Sequence, residues 1–318
     1  MSFLSLLLAL LIEQARPLVR GNWVHATIRA WVSWISQTLD AGHPRLAWIT
    51  WSLAVGLPAM IATVVHWVLI GLFGWPVAMI WSVAILYVTL GFRQFSHHFT
   101  DIRDALDVGD ERLARELLAE WQQVEVGSLP RSELLRHVIE HSVLSAHHHV
   151  FGVLTWFSVL AALGFGPAGA VIYRMSDLVA DKWQATPKVT KGWVSETLQN
   201  AAREAWRLVD WLPARLTAVA FAVVGNFEEA IDCWRNHAQR FPDDNDGVVL
   251  AATAGALNVR LGGEALGAEA TDGSQDSEST PGRTPEMAHL SSVVGLVWRS
   301  VVLWMVLLAL LTLARLLG

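Results

Sequence analysis

The chain has 318 residues, of which 53% are hydrophobic and only 16% charged. Soluble domains carry about 25% charged residues, so this composition excludes an ordinary soluble domain and points to a membrane protein that crosses more than once. A net charge of −6 without any Lys/Arg-rich block excludes nucleic acid as a partner. The single cysteine excludes an intramolecular disulfide and a thiolate metal centre.

Seventeen tryptophans against two tyrosines fit aromatic anchoring at a lipid interface, which makes the bilayer the first partner. Residues 1–45 read as N-terminal amphipathic or interfacial helices. Residues 4–12 are apolar but too short for about 30 Å of hydrocarbon, and no basic region precedes them as in a signal peptide. The helix is expected to extend through Glu13 and Arg16. Residues 21–42 place Trp23, Ile28, Trp31, Trp34 and Ile35 at helical spacing, an amphipathic interfacial pattern.

Residues 46–91 read as a transmembrane pair, 47–73 and 75–91, with Gly71, Gly74 and Pro76 as turn chemistry between them. Arg45 and Arg93 flank the pair, so the positive-inside rule puts both outer ends in the cytoplasm. Residues 92–149 form a cytoplasmic helical loop in which Gly109 ends one helix and Asp110 caps the next. Residues 150–181 are apolar but broken at Gly164-Phe-Gly-Pro-Ala-Gly169. As one span they would leave Arg174, Lys182 and Lys188 outside; as a broken, re-entrant-like hairpin they return both flanks to the cytoplasm. Residues 182–261 are helical and carry Asp210-Trp-Leu-Pro-Ala-Arg215, with Pro213 expected in a helix's first turn. Residues 262–290 read as a disordered acidic linker, and 291–318 as a C-terminal transmembrane helix. The fold class is therefore all-α: a polytopic membrane bundle with a broken hairpin and cytoplasmic helical loops.

Five of the twelve histidines fall between positions 137 and 149, directly before the hairpin. His137-Val-Ile-Glu140-His141 matches the H-x-x-E-H zinc pattern, in the wrong structural context. On a continuous helix His137, His141 and His148 share a face, which makes them candidate metal ligands or titrating groups. His147 and His149 extend that cluster. Asp177, at the far end of the hairpin, is brought back toward it. Asp210 and Arg215 flank a Pro-fixed helix start that suits an anion. Glu13, Asn226, Glu228 and Glu229 are further polar groups at apolar boundaries. Together they predict a cytoplasm-facing cavity for a small molecule, in a chain able to homo-oligomerise.

Four stretches resemble the CobD/CbiB–AmpE superfamily of bacterial inner-membrane proteins. They are Leu11-Ile-Glu-Gln-Ala-Arg-Pro17, the helical pair 105–118, Phe151-Gly-Val-Leu-Thr-Trp-Phe157 with 164–174, and Trp211-Leu-Pro-Ala-Arg-Leu-Thr217, which is similar to that family's "WVPARLT". The resemblance implies a multi-pass inner-membrane protein. In the CobD/CbiB branch it implies synthesis of adenosylcobinamide phosphate, by ATP-dependent amide formation between an aminopropanol phosphate and a corrinoid carboxylate. In the AmpE branch it implies a role linked to β-lactamase regulation. Where the synthase branch carries "ENTVDG" this chain reads His147-His-His-Val-Phe-Gly152, its "GRD" falls near Trp121 with only Glu125 beside it, and its paired aspartates fall near Trp206 and Arg207. Imidazoles and apolar groups thus stand where carboxylates would hold Mg-nucleotide. The leading expectation is a regulatory or ligand-binding protein with no assigned cofactor. The alternative is a corrinoid-pathway enzyme with a diverged site, for which corrinoid and Mg-nucleotide are the implied ligands.

A reporter fused near Lys188 is expected to score cytoplasmic; a periplasmic signal would replace the hairpin by a simple span.

Overall fold

The computed structural model describes residues 2–15, 23–122, 129–184, 194–263 and 278–317. Arg16, Glu125, Lys188 and positions 264–277 of the expected linker lie outside the described residues. The elements are α1 (Ser2–Ala15), α2 (Trp23–Leu39), α3 (Pro44–Phe73), α4 (Trp75–Thr89), α5 (Phe92–Val108), α6 (Glu111–Gln122) and α7 (Arg131–Ala146). A π turn (His147–Phe151) joins α7 to α8 (Gly152–Ala162). Then come α9 (Ala168–Gln184), α10 (Glu196–Val224), α11 (Phe227–His237), α12 (Asp244–Leu257) and α13 (Met287–Leu317). Among the described residues there is no strand, so the expected all-α fold is the observed one. Two compact units share these elements: residues 1–91, 152–213 and 308–318, and residues 92–151 and 214–307.

In the first unit, α8 and α9 form the hairpin. Gly169 lets the two helices touch, because a Cβ there would lie 1.9 Å from the Trp156 carbonyl oxygen. Gly166 (φ 59°) sits in the turn between them, where a Cβ would meet the His66 ring at 2.5 Å. The turn is tied to α3: Trp67 Nε1 donates to the Gly164 carbonyl at 2.9 Å, and Thr63 Oγ1 to that of Phe165 at 3.4 Å. His66 therefore packs under the turn, with its Nδ1 3.5 Å from Ser82 Oγ on α4.

Two helices of this unit contain an internal proline, Pro58 in α3 and Pro213 in α10. Proline has no N–H, so the carbonyl four residues earlier loses its helical donor. An indole replaces it each time: Trp31 Nε1 donates to the Ala54 carbonyl at 3.2 Å, and Trp156 Nε1 to that of Val209 at 2.9 Å. This corrects the expected helix start at Pro213, because α10 runs straight through it for 29 residues. It also revises the tryptophan reading. Trp81 donates to Ala62 at 3.1 Å and Trp183 to Val32 at 3.4 Å, so several indoles tie helices together, while Trp23, Trp34 and Trp75 stay exposed.

Among the described residues three helices are long and apolar enough to cross a membrane: Pro44–Phe73, Arg131–Ala162 and Met287–Ala314. The second was not expected, since sequence patterning placed 131–149 in the polar loop. The helix expected at 75–91 is shorter than a full span. Leu90 turns extended, so α4 has 15 residues and a length of about 22 Å against about 30 Å of hydrocarbon.

In the second unit, Gly109 (φ 85°) and Asp110 separate α5 from α6 as predicted, and Asp110 Oδ1 accepts from the Leu113 N–H at 2.9 Å. Asn226 caps α11 through the Glu229 N–H, and Asp243 caps α12 through those of Asn245 and Asp246. The two ends of the predicted linker are ordered. Thr280 N donates to the Leu261 carbonyl at 2.7 Å, the Leu261 N–H returns to Thr280 Oγ1 at 2.9 Å, and Arg260 N–H reaches the Arg283 carbonyl at 2.8 Å. Paired backbone replaces the disorder expected there, and α13 begins at Met287, inside the range assigned to the linker.

Trp156→Phe leaves the Val209 carbonyl without its donor and is expected to cost about 1–3 kcal/mol. In a Pro213→Ala background a backbone N–H returns, so the same change should cost much less. Equal losses in both backgrounds, measured by unfolding in detergent, would refute the indole's role.

Candidate functional site

The histidine cluster lies on α7 and the π turn. Such turns recur at functional sites because one extra residue per turn rotates the following side chains by about 100°. Arg136 organises the first part. It is buried, pairs with Glu133 at 2.7 Å and Glu140 at 3.2 Å, and donates from Nη2 to His137 Nε2 at 2.9 Å. A guanidinium only donates, so His137 Nε2 is an acceptor engaged by protein. Glu140 also accepts the Gly262 N–H at 2.7 Å. Two of the H-x-x-E-H residues, His137 and Glu140, thus join Arg136 in a structural clamp on the chain after α12.

The other histidines find different partners. His141 meets the Trp121 ring edge-on at 4.4 Å, and Trp121 stacks on His98 at 5.7 Å. His149 Nδ1 donates to the Ser145 carbonyl of its own helix at 3.1 Å. His147, fully buried, places Nδ1 2.9 Å from Thr217 Oγ1 on α10. His148 Nε2 donates to Asp246 Oδ1 on α12 at 3.2 Å, and its ring lies 5.1 Å from that of His147. Among the described residues, His137, His141 and His148 form no metal-sized group. The shared face implied by their spacing is divided among three different partners.

Arg215 extends this polar region, donating from Nη1 to Asn245 Oδ1 at 3.0 Å. The second unit therefore brings His147, His148, Thr217, Arg215, Asn245 and Asp246 together from three elements. Burial pushes the Asp246 carboxyl up, but the charge and hydrogen bond of His148, with His147 behind, outweigh it and hold it below its ordinary value near 3.8.

The other predicted residues have contacts of their own. In the first unit Asp210 is fully buried and accepts from Tyr173 Oη at 2.7 Å, with the Trp206 ring 5.2 Å from that of Tyr173. Asp177 pairs with Arg174 at 2.5 Å, and Glu13 is buried on α1. Because α10 does not start at Pro213, no helix N-terminus stands there to hold an anion. Asn226 is a helix cap, and Glu228 and Glu229 are exposed in the first turn it caps. Sequence patterning passed over Thr217, Asn245 and Asp246. The run Asp243-Asp-Asn-Asp-Gly247 carried a signal, since an Asp followed by acidic residues marks a helix start.

The family model described as "CobD/Cbib protein" matches residues 4–297. Among curated proteins, the "Cobalamin biosynthesis protein CobD" of Chromobacterium violaceum is 33% identical over 227 residues, 70% of this chain and 67% of that protein. The protein of the same name from Stutzerimonas stutzeri is 30% identical over 262 residues, 81% of this chain and 79% of that protein. No solved structure matches.

A carboxylate held below its ordinary value stabilises the fold above that value, and the contribution fades as pH falls through the lower one. The stability difference between the wild type and Asp246→Asn is therefore expected to be full at about pH 6 and to close as pH drops below about 4. A pH-independent difference in thermal unfolding would show that the His148–Asp246 bond carries no charge.

Proposed function

Because the chain belongs to the CobD/CbiB family, we propose that it acts in cobalamin biosynthesis, as a multi-pass protein of the bacterial inner membrane that joins an aminopropanol phosphate to a corrinoid carboxylate. The observation that carries this reading is the extent of the family match, residues 4–297, with relatives named for cobalamin biosynthesis. It favours the enzyme alternative over the regulatory role expected first.

The chemistry sets what the polar cluster must do. Carboxylate, ammonium and ATP become amide, ADP, phosphate and one proton; the carboxylate loses an oxygen to the departing phosphate, and the amine loses two protons. A base must therefore free the amine's lone pair near neutral pH, the task imidazole suits best. His148, oriented by Asp246 at 3.2 Å, is the group we assign to it. Arg215, positioned by Asn245, suits a phosphate on either substrate. Magnesium bound with a nucleotide keeps several waters and takes one or two protein carboxylates, a requirement that Asp246 fits.

Protein purified in mild detergent and given adenosylcobyric acid, aminopropanol phosphate and ATP is expected to form adenosylcobinamide phosphate, identified by mass. His148→Ala should slow the reaction by about 100-fold, as expected for loss of a general base. The reading fails if no product forms and neither corrinoid nor nucleotide shifts the unfolding temperature.

A further inference from the structure

We propose that a groove in the first unit holds the acyl chain of an anionic phospholipid, with the lipid phosphate seated on Arg174 and His25.

The groove encloses about 460 Å³ between α2, α3, α4 and α9, within the range of about 300–1,000 Å³ typical of small-molecule sites. Ile28, Leu57, Ile61, Ile85, Val171 and Leu178 line its walls. Along α4 the lining runs from Trp81 to Thr89, about 12 Å at 1.5 Å per residue. Polar side chains border it too, but almost all of them spend their hydrogen bonds on backbone. Thr27 donates to the Trp23 carbonyl, Trp31 to Ala54, Trp81 to Ala62 and Thr89 to Ile85. Along its walls the groove thus offers hydrocarbon only, which excludes a nucleotide or a sugar and suits an alkyl chain.

The exceptions stand together. His25 Nδ1 is buried without a hydrogen-bond partner among the described residues. Arg174 gives Nη1 to Asp177, one of the five N–H donors a guanidinium carries. Burial, then Arg174, then Arg29 push His25 below its ordinary value, so this end presents a neutral imidazole beside two guanidiniums, with the carboxylates of Asp177 and Asp181 and the ammonium of Lys182 around Arg174. The balance is cationic. An oxyanion there would take hydrogen bonds from Arg174 and His25.

Access comes from the side. Met60, Ile61 and Val64 are more than half exposed on α3, the helix that forms one wall and is long and apolar enough to cross a membrane. A bilayer lipid reaches the groove across that face without passing through water. An acyl chain with a phosphate at one end matches both the apolar walls and the cationic end.

The test is lipid extraction and mass spectrometry of protein purified in mild detergent, with unfolding temperatures measured after adding phosphatidylglycerol, phosphatidylethanolamine or diacylglycerol. Wild type should retain phosphatidylglycerol and be stabilised by it more than by the other two. Ile61→Trp, at an exposed position that tolerates bulk, should fill the groove and lower retention at least tenfold. His25→Leu with Arg174→Gln should lose the preference for phosphatidylglycerol while still binding diacylglycerol, and Arg174→Lys alone should keep it. Equal retention by wild type and Ile61→Trp would overturn the proposal. So would equal stabilisation by all three lipids, or conversion of a dimer to a monomer by Ile61→Trp.

Discussion

The first unit depends on how a peptide carbonyl is satisfied where water is scarce. Each helix proline frees one carbonyl, and an unpaired polar group in an apolar surround costs several kcal/mol. Here both freed carbonyls, at Ala54 and Val209, are met by an indole N–H from a neighbouring helix. The same contact that repairs the helix also fixes its neighbour: Trp31 locks α2 to α3, and Trp156 locks α8 to α10. The second supplies the donor that Pro213 lacks inside α10.

In the second unit a buried guanidinium plays the comparable part. Arg136 gathers Glu133, Glu140 and His137, and Glu140 in turn holds the Gly262 N–H. This clamp keeps the chain leaving α12 close to α7. The capped start of α12 presents Asn245 and Asp246 to Arg215 and His148. Most of the motif that looks like a zinc site is thereby scaffold, while one π turn along His147 and His148 turn to Thr217 and Asp246.

Much of the fold was legible from local physics. Gly164 and Gly166 at positive φ make the hairpin turn, Gly109-Asp110 separates two helices, and Asn226 caps another, each because one residue's backbone or side chain meets a local need. The family resemblance was equally legible in the four quoted stretches. The candidate site was legible only in part. His147, His148 and Arg215 were named, but their partners Thr217, Asp246 and Asn245 stand 70, 98 and 30 residues away. No periodicity connects positions so far apart.

The sequence by itself determined the all-helical class, the apolar segments and the broken hairpin, because hydropathy, helical period and glycine conformation act over a few residues. Only the tertiary structure decided what each polar group does. Pro213 reads as a helix start until Trp156 supplies the missing donor. Three histidines at one-face spacing read as a metal site until Arg136, Trp121 and Asp246 take one each. Propensity is a local energy of a few tenths of a kcal/mol to about 3, whereas a buried hydrogen-bond partner is worth as much or more. Where the two compete, the partner prevails, and the partner is set by the fold.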